Sequence, residues 1–155
     1  MPSSSKARQV VMALIEAAEG EAEGKVRAGA IVDLGSGWGS LVIRLARKYP
    51  DRQVVGYELS LVPWFVSLCV AKCLGLDNLK LYRRDFLKAD LSSVAVLVCY
   101  LFPGGMAALE GKLQGELAEG RRCLISNNFA LPAVEVERVV RVDDFYRSPV
   151  YLYWV

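Results

Sequence analysis

Apolar residues recur along the chain at two spacings, and segments of the two kinds follow one another almost from end to end. Apolar positions three and four residues apart predict helices, and short apolar runs between turn residues predict strands. The predicted helices lie at 5–20, 41–49, 61–74 and 105–117. The predicted strands lie at 30–33, 53–57, 79–82, 94–99, 122–126, 134–142 and 150–155. This alternation is typical of an α/β protein.

The ends of these segments carry residues that favour helix boundaries. Ser5 and Ser60 stand where a side chain that caps a helix N-terminus is expected. Pro50 follows the second helix and breaks it, and Gly75 follows the third, where a left-handed residue commonly closes a helix. The connections between neighbouring elements are therefore short.

Strands and helices alternate through the first five strands, which favours a doubly wound parallel sheet with right-handed crossovers. The run VAVLVC at 94–99 is wholly apolar, as expected for a strand in the middle of such a sheet. The last two strands leave no room for a helix between them, so they should pair as an antiparallel hairpin. With 155 residues and neither repeats nor long linkers, we expect a single domain over residues 1–155.

Composition excludes several functions. The chain contains no histidine, which excludes Ser-His-Asp and Cys-His catalysis and any histidine general base. It has 19 Lys and Arg against 17 Asp and Glu with no block of like charge, so a nucleic-acid partner is disfavoured. The N-terminal segment is unlike a signal peptide, and no stretch is apolar and long enough to span a bilayer, so we expect no membrane anchor.

The four cysteines, Cys69, Cys73, Cys99 and Cys123, lie within apolar runs rather than between turn residues. This placement is typical of free buried thiols and not of a disulfide framework, so it predicts a reducing, cytoplasmic setting. Cys69 and Cys73 share one face of the third helix. Because the sequence offers no matching pair of further ligands, we interpret them as core residues and expect no metal site.

A glycine-rich turn, DLGSGWG at 33–39, joins the first strand to the helix that follows it. Glycines in such a turn allow positive φ and a close approach of the backbone to a ligand. Glu58 ends the second strand, at the distance where a ribose-binding acid is expected, and Asp85 and Phe86 follow the third strand. Because the carboxyl ends of these strands meet at one edge of the sheet, the residues should converge on one nucleoside.

The spacing within the turn bears on the kind of nucleoside. A dinucleotide fold requires GxGxxG, whereas Gly39 comes one residue early here and the acidic Asp33 precedes the turn. A carboxylate beside the ligand is unfavourable for a diphosphate and favourable for a cation. S-Adenosylmethionine carries both a sulfonium and an α-ammonium, so the turn favours this compound over NAD.

The segments DLGSGWG, GYELS and RRDF resemble the first three motifs of class I S-adenosylmethionine-dependent methyltransferases. More narrowly, VGYELS, the segment from RRDF through VCYLFPGGM and the ending VYLYWV are similar to the small protein-lysine methyltransferases of the FAM173 type. The resemblance implies a Rossmann-like, seven-stranded, mostly parallel sheet. It also implies S-adenosylmethionine as cofactor and a protein lysine as methyl acceptor.

The same resemblance assigns candidate site residues. The resemblance places Asp33, Gly35, Gly37 and Glu58 at the methionine and ribose of the cofactor, and Asp85 and Phe86 at the adenine. Further cofactor-binding candidates are Ser36, Gly39 and Leu59. The loop with Tyr100 and Phe102, the candidate catalytic residues, then faces the transferable methyl group. We expect these two rings, together with Trp38, to wall the acceptor pocket and to hold a methylated ammonium by cation–π attraction.

Other functions stay open at this point. A methyltransferase acting on a small molecule would use the same cofactor site, and so would a nucleoside-binding module without catalysis. An NAD-linked oxidoreductase is a third alternative. The oligomeric state is open as well, because the apolar segment 61–76, with Trp64, either packs in the core, as we expect, or forms a self-association patch.

Overall fold

The computed structural model describes residues 4–21, 29–116 and 121–155, and in these ranges the chain forms four helices and seven strands. The helices are α1 (Ser5–Glu21), α2 (Ser40–Lys48), α3 (Leu61–Cys73) and α4 (Pro103–Gly115). The strands are β1 (Ala30–Leu34), β2 (Val54–Tyr57), β3 (Leu79–Tyr82), β4 (Val94–Cys99), β5 (Cys123–Asn127), β6 (Arg138–Arg141) and β7 (Pro149–Trp154). A 3₁₀ turn, Phe86–Lys88, lies between β3 and β4.

The described strands form one sheet in the order β3-β2-β1-β4-β5-β7-β6. Strands β1 to β5 are parallel, whereas β7 runs antiparallel to both β5 and β6. The predicted Rossmann-like sheet with a C-terminal antiparallel hairpin is therefore confirmed. The order reverses at β1, so the carboxyl ends of β1 and β4 border the crevice where ligands of such sheets bind. Asp33, on β1, is opposite Gly56 of β2 and Val98 of β4.

Two apolar clusters fill the space on the two faces of the sheet. One cluster joins α1, α2 and α3 to the sheet, with Ile15 and Leu45 fully buried. The other lies under α4 and the segment that follows β5, and its largest members include Leu97, Met106 and Tyr153. All six residues of β4 are buried, as the wholly apolar run predicted, because this strand is covered on both faces.

The predicted helix boundaries need small corrections. α1 is capped by Ser4, not Ser5, since the Ser4 hydroxyl accepts the Ala7 N–H at 3.1 Å. Ser60 stands at the N-cap of α3, but its side chain makes no capping hydrogen bond. α4 begins at Pro103, two residues before the predicted start, because proline suits the first turn of a helix. Leu117, placed at the end of this helix, lies outside the described residues.

The terminal hairpin is shorter than the predicted strand at 134–142. β6 covers only Arg138–Arg141, the stretch that pairs with residues 149–152 of β7. Val134 and Val136 instead pack against the second apolar cluster outside the ladder. The alternating sequence fits a strand, but the packing of these two valines against the cluster replaces ladder pairing before Arg138.

The outer side of α3 contradicts the expected burial of residues 61–76. Trp64 packs against the core and donates its indole N–H to the Leu81 carbonyl at 3.1 Å, but many apolar neighbours face outward. Cys99 and Cys123 are buried as predicted, whereas Cys69 and Cys73 are exposed, so their interpretation as core residues is wrong. The physical reason is that only the inner side of α3 has a sheet to pack against. Among the described helices, none has the length and hydropathy needed to cross a membrane.

Candidate functional site

A cavity of about 460 Å³ opens where β1, β2, β4 and β5 end. This volume lies within the range of ordinary small-molecule sites. Its acidic side is formed by Asp33 and Glu58, and its far wall by residues that follow β4 and β5. The cavity therefore lies at the edge of the sheet where the sequence placed the candidate nucleoside.

The glycine-rich turn borders this cavity through Gly35 and Gly37, which have φ values of 108° and 53°. The Gly35 N–H donates to the Tyr57 carbonyl at 2.9 Å, so β2 holds the turn in place. Gly39 closes the turn at φ 79°, and a Cβ there would lie 2.6 Å from Cβ of Ser67. The third glycine thus allows the start of α2 to pack directly on α3.

Glu58 is oriented by the backbone on both of its oxygens. Oε2 accepts the Gly37 N–H at 2.8 Å, and Oε1 accepts the Ser60 N–H at 2.8 Å. A carboxylate has about four lone-pair positions, so each oxygen can accept one more hydrogen bond. Both remaining positions suit the two hydroxyls of a ribose.

Asp33 is 6% exposed, and its carboxyl group lines the floor of the cavity. Burial, and to a smaller extent the nearby negative charge of Glu58, raise the pKa of Asp33 from its ordinary value of 3.8 to about 7. A cation bound in the cavity would favour the ionised form. The pair of acids therefore selects for a positively charged ligand.

Cofactor affinity should consequently depend on pH. Below a pKa of about 7 the Asp33 carboxyl is mostly protonated and cannot pair with a cation, so affinity should increase as the pH rises through this value. Between about pH 6 and pH 8 the ionised fraction grows by roughly tenfold, and the association constant should follow it. Isothermal titration with S-adenosylmethionine across this range measures the effect. An association constant that stays flat over the range would contradict the assignment of Asp33 to the cationic part of the ligand.

Arg8 brings a positive charge to the same cavity from α1. Among the lining residues that the structure describes, Arg8 is the one with a basic side chain, and it is half-buried. Two acids and one guanidinium together suit a ligand with both a cationic group and a carboxylate, such as an α-amino acid. Sequence analysis missed Arg8, because only the packing of α1 over β5 and β7 carries it to the site.

Three aromatic rings form the wall opposite the acids. Tyr100 and Phe102 follow β4, and Phe129 follows β5. The Phe129 ring stacks on Tyr100 with centroids 6.3 Å apart and tilts against Phe102 at 6.2 Å. We refer to these residues as the aromatic trio. Phe102 is 77% exposed, so the trio extends from the cavity to the protein surface.

Phe129 was also missed by sequence analysis. Its place depends on a tight turn in which Asn128 has φ 75° and the Ser126 hydroxyl donates to the Phe129 carbonyl at 2.6 Å. The one available signal is its position just after the fifth parallel strand, at the same edge as the predicted site. Asn127, the last residue of β5, lines the cavity for the same reason.

Cys99 lines the cavity as well, but its thiol is not available as a nucleophile. The pKa of Cys99 is raised to about 12, chiefly by burial; a hydrogen bond with Ser126 opposes the shift, and the carboxyl of Asp33 contributes to it. The thiol is therefore protonated at neutral pH. Within the described part of the chain, no group of three or more Cys, Asp and Glu side chains is placed to hold a metal ion.

Seven of the residues singled out from the sequence line the cavity. They are Asp33, Gly35, Gly37, Trp38, Glu58, Tyr100 and Phe102. The remaining candidates lie around it: Gly39 borders α3, Leu59 is 65% exposed beyond Glu58, and Ser36 is buried against β2. A Cβ on Gly56 would lie 2.8 Å from Oγ of Ser36, which shows how closely the turn packs there.

The two residues expected to contact adenine occupy the exit from β3. The Asp85 carboxylate accepts the Leu87 N–H at 2.9 Å and so caps the 3₁₀ turn. Phe86 is half-buried and packs against the second apolar cluster. Neither residue lines the cavity. Their contact with a nucleobase stays a prediction.

Comparisons with known proteins agree with this site. The family model described as the ANTKMT methyltransferase domain matches residues 33–138, which is more than half of the chain. The mouse (Mus musculus) adenine nucleotide translocase lysine N-methyltransferase is 36% identical over 119 residues, covering 74% of this chain and 49% of that protein. A protein-lysine N-methyltransferase from Saccharolobus islandicus is 27% identical over 125 residues, covering 79% and 77%. The chain spans about half the length of the mouse protein.

Among solved structures, an RNA methyltransferase from Salinibacter ruber in complex with S-adenosyl-L-homocysteine superposes with a TM-score of 0.80. It is 27% identical and covers 100% of this chain and 94% of that one. The similarity extends over the whole sheet and includes the edge where the cavity lies. On the match of the family model and the identity to the mouse protein, this chain belongs to the ANTKMT methyltransferase domain family.

Proposed function

We propose that this domain transfers the methyl group of S-adenosylmethionine to lysine side chains of a protein substrate. The observation that carries the proposal is the meeting, in one cavity, of a buried acid suited to a cation and an aromatic trio suited to a methylated amine. The activities for which the mouse and Saccharolobus islandicus relatives are named support the same function. They also support the choice of a protein over a small molecule as acceptor.

The donor set fits this cofactor. S-Adenosylmethionine supplies an electrophilic methyl group on a sulfonium whose leaving group is a neutral thioether. Asp33 would hold the α-ammonium and lie near the positive sulfur, while Arg8 would pair with the carboxylate. Glu58, already fixed by two backbone N–H groups, would accept the ribose hydroxyls.

The aromatic trio would receive the acceptor amine. An uncharged amine is required for attack, and an apolar, partly closed pocket lowers the pKa of an amine because it disfavours the charged form. The faces of Tyr100, Phe102 and Phe129 would exclude water and attract the cationic product. Because methyl transfer depends mainly on alignment and water exclusion, a chain without histidine can support it.

A transfer assay with methyl-labelled S-adenosylmethionine tests the proposal. The acceptors are a protein extract, the same extract with its lysines chemically blocked, total RNA and a metabolite fraction. We expect label in the untreated protein and its loss when the lysines are blocked. Mass spectrometry of the labelled protein then identifies mono-, di- or trimethyl-lysine.

The other acceptors distinguish the alternatives. Label in the metabolite fraction would indicate a small-molecule methyltransferase, and label in RNA would indicate the activity for which the Salinibacter ruber protein is named. Cofactor binding without any product would indicate a non-catalytic nucleoside-binding module. Binding of NAD in place of S-adenosylmethionine would overturn the proposed cofactor.

Two further expectations from the sequence stay predictions. One is the cytoplasmic location, which subcellular fractionation would test. The other is the single-domain organisation over residues 1–155, which limited proteolysis would test, since one domain should give one protected core.

A further inference from the structure

The most unusual surface of the molecule is the outward side of α3. Only Ser67 and Ala71 of this helix are buried, Ser67 against Gly39 at the start of α2 and Ala71 in the first apolar cluster. The opposite side exposes large apolar side chains that are between 38% and 62% accessible. We call them the α3 outer face: Leu61, Val62, Phe65, Val66 and Val70.

Such a face is unexpected on a helix that stays in water. A helix with apolar residues on all sides is normally buried, and a contiguous exposed apolar patch usually marks an interaction site. Cys69 and Cys73 are exposed on the same helix, and Leu74, directly after it, is 49% accessible. The accessible surface therefore continues over the full length of α3.

The charged side chains that α2 and α3 themselves carry are all positive. α2 packs against α3, since Gly39 at its start closely approaches Ser67. The exposed basic residues of α2 are Arg44, Arg47 and Lys48, of which Lys48 pairs with Glu16 of α1, and α3 exposes Lys72. Neither helix contains an acidic residue. Acids lie beyond the ends of α3, at Glu58 and Asp77, so Arg44, Arg47 and Lys72 dominate along the helices. The surface would be complementary to one that is apolar inside and anionic outside.

The apolar surface also reaches the rim of the cavity. Trp38 lines the cavity and is 52% accessible, and Leu59, which follows Glu58, leads directly into α3. Phe102 is exposed on the other side of the opening. A partner that covers the α3 outer face would therefore lie beside the mouth of the site.

We propose that the α3 outer face, with the basic side chains of α2, is a docking surface for an anionic lipid bilayer. Apolar and aromatic side chains would enter the boundary between headgroups and acyl chains, as in interfacial helices, and Arg44, Arg47 and Lys72 would meet the lipid phosphates. A two-fold dimer through the same face would oppose two sets of basic residues with no acid on either helix. An anionic bilayer is complementary to both parts of the surface, because its acyl region suits the apolar side chains and its phosphates suit the basic ones.

Flotation with vesicles of phosphatidylcholine containing about one third phosphatidylglycerol tests this surface. We expect the wild-type chain to float with these vesicles and not with pure phosphatidylcholine. The double variant Val62→Glu with Phe65→Glu should lose the binding by at least about tenfold, since it removes apolar contacts and adds repulsion. Phe145→Glu with Tyr146→Glu is the matched control, because these residues are 92% and 83% exposed in the β6–β7 turn.

The charged part of the surface is tested separately. Arg44→Glu with Arg47→Glu should weaken binding by about tenfold or more, and high salt should have the same effect on the wild type. Lys80→Glu with Lys88→Glu is the control: Lys80 is exposed on β3 between Leu79 and Leu81, which point towards α3, so its side chain faces the other side of the sheet. This control should bind as the wild type does.

None of these flotation measurements depends on methyl transfer, so they test the docking surface separately from the proposed function. Retained affinity for S-adenosylhomocysteine in every variant shows that the fold and the cavity are intact. The proposal is overturned if the wild type fails to float or if the control variants lose binding as the test variants do. It is also overturned if sedimentation velocity shows a dimer that Val62→Glu with Phe65→Glu dissociates, without any vesicle binding.

Discussion

Replacing Asp33 by Asn is expected to weaken S-adenosylmethionine binding by about a hundredfold while leaving the fold intact. Truncating one partner of a buried, hydrogen-bonded charge pair costs about 2–5 kcal/mol, and each 1.4 kcal/mol is a factor of about ten. Asp33 is buried, lines the cavity and has a carboxyl group whose pKa is raised by burial and by the charge of Glu58, so a bound cation would offset a cost that the ionised form already bears. Isothermal titration with S-adenosylmethionine and with S-adenosylhomocysteine measures the loss. Equal losses for both ligands would identify the α-ammonium as the partner, whereas a loss confined to S-adenosylmethionine would identify the sulfonium.

The melting temperature of Asp33→Asn distinguishes a specific loss of cofactor binding from a disrupted fold. Because the pKa of Asp33 is raised in the folded state, the folded chain binds this proton more tightly than the unfolded chain does. Its contribution to the free energy of unfolding therefore falls as the pH rises from about 4 to about 7. Asn cannot ionise, so Asp33→Asn should melt at the same or a higher temperature than the wild type above pH 7. A lower melting temperature together with lost binding would contradict a binding role. Asp51→Asn, an exposed acid after α2, should change neither quantity.

The order of strands and helices follows from the sequence because each element has a strong local pattern. β4 is wholly apolar and lies in the middle of the sheet, and β3 alternates and lies at its edge, where one face stays accessible. Both strands have the bounds that their patterns predicted. The short connections and right-handed crossovers then leave few arrangements of a parallel sheet. The terminal pairing of β6 and β7 follows from the lack of room for a helix.

The outer side of α3 shows what a local pattern cannot supply. Apolar residues on every side of a helix indicate burial only if something covers each side, and coverage is a property of the neighbours. Here the start of α2 covers Ser67, the core cluster covers Ala71, and the described part of the chain leaves Val62 and Phe65 open. The hydrophobic pattern therefore predicted the helix correctly but predicted the burial of its outer side wrongly.

The candidate site likewise contains residues that the sequence could reveal and residues that it could not. The glycine turn and Glu58 could be found from the sequence because strand ends and their spacing are local features. Arg8 and Phe129 could not, since one depends on where α1 crosses the sheet and the other on a turn with positive φ at Asn128. Both depend on tertiary packing, which no spacing rule contains.

Removing two rings of the aromatic trio should impair methyl transfer without affecting the cofactor. For the double variant Tyr100→Ala with Phe102→Ala we expect kcat/KM for the protein acceptor to fall by about a hundredfold. Each cation–π contact contributes about 0.5–2 kcal/mol, so two contacts account for a change of this size. The measurement is the initial rate of label transfer at several acceptor concentrations. The single variant Tyr100→Phe keeps the ring that stacks on Phe129 and should retain most of the activity.

The control is the affinity of the same double variant for the cofactor product. Phe102 is 77% exposed and both rings lie on the cavity wall opposite Asp33 and Glu58, so affinity for S-adenosylhomocysteine should change by less than about threefold in the double variant. Phe145→Ala, at a 92% exposed ring in the β6–β7 turn, should leave transfer unchanged. Unchanged transfer in the double variant would remove Tyr100 and Phe102 from the mechanism. A parallel loss of cofactor affinity would place them in the cofactor pocket instead, because a wall that serves only the acceptor cannot alter the binding of a ligand it does not touch.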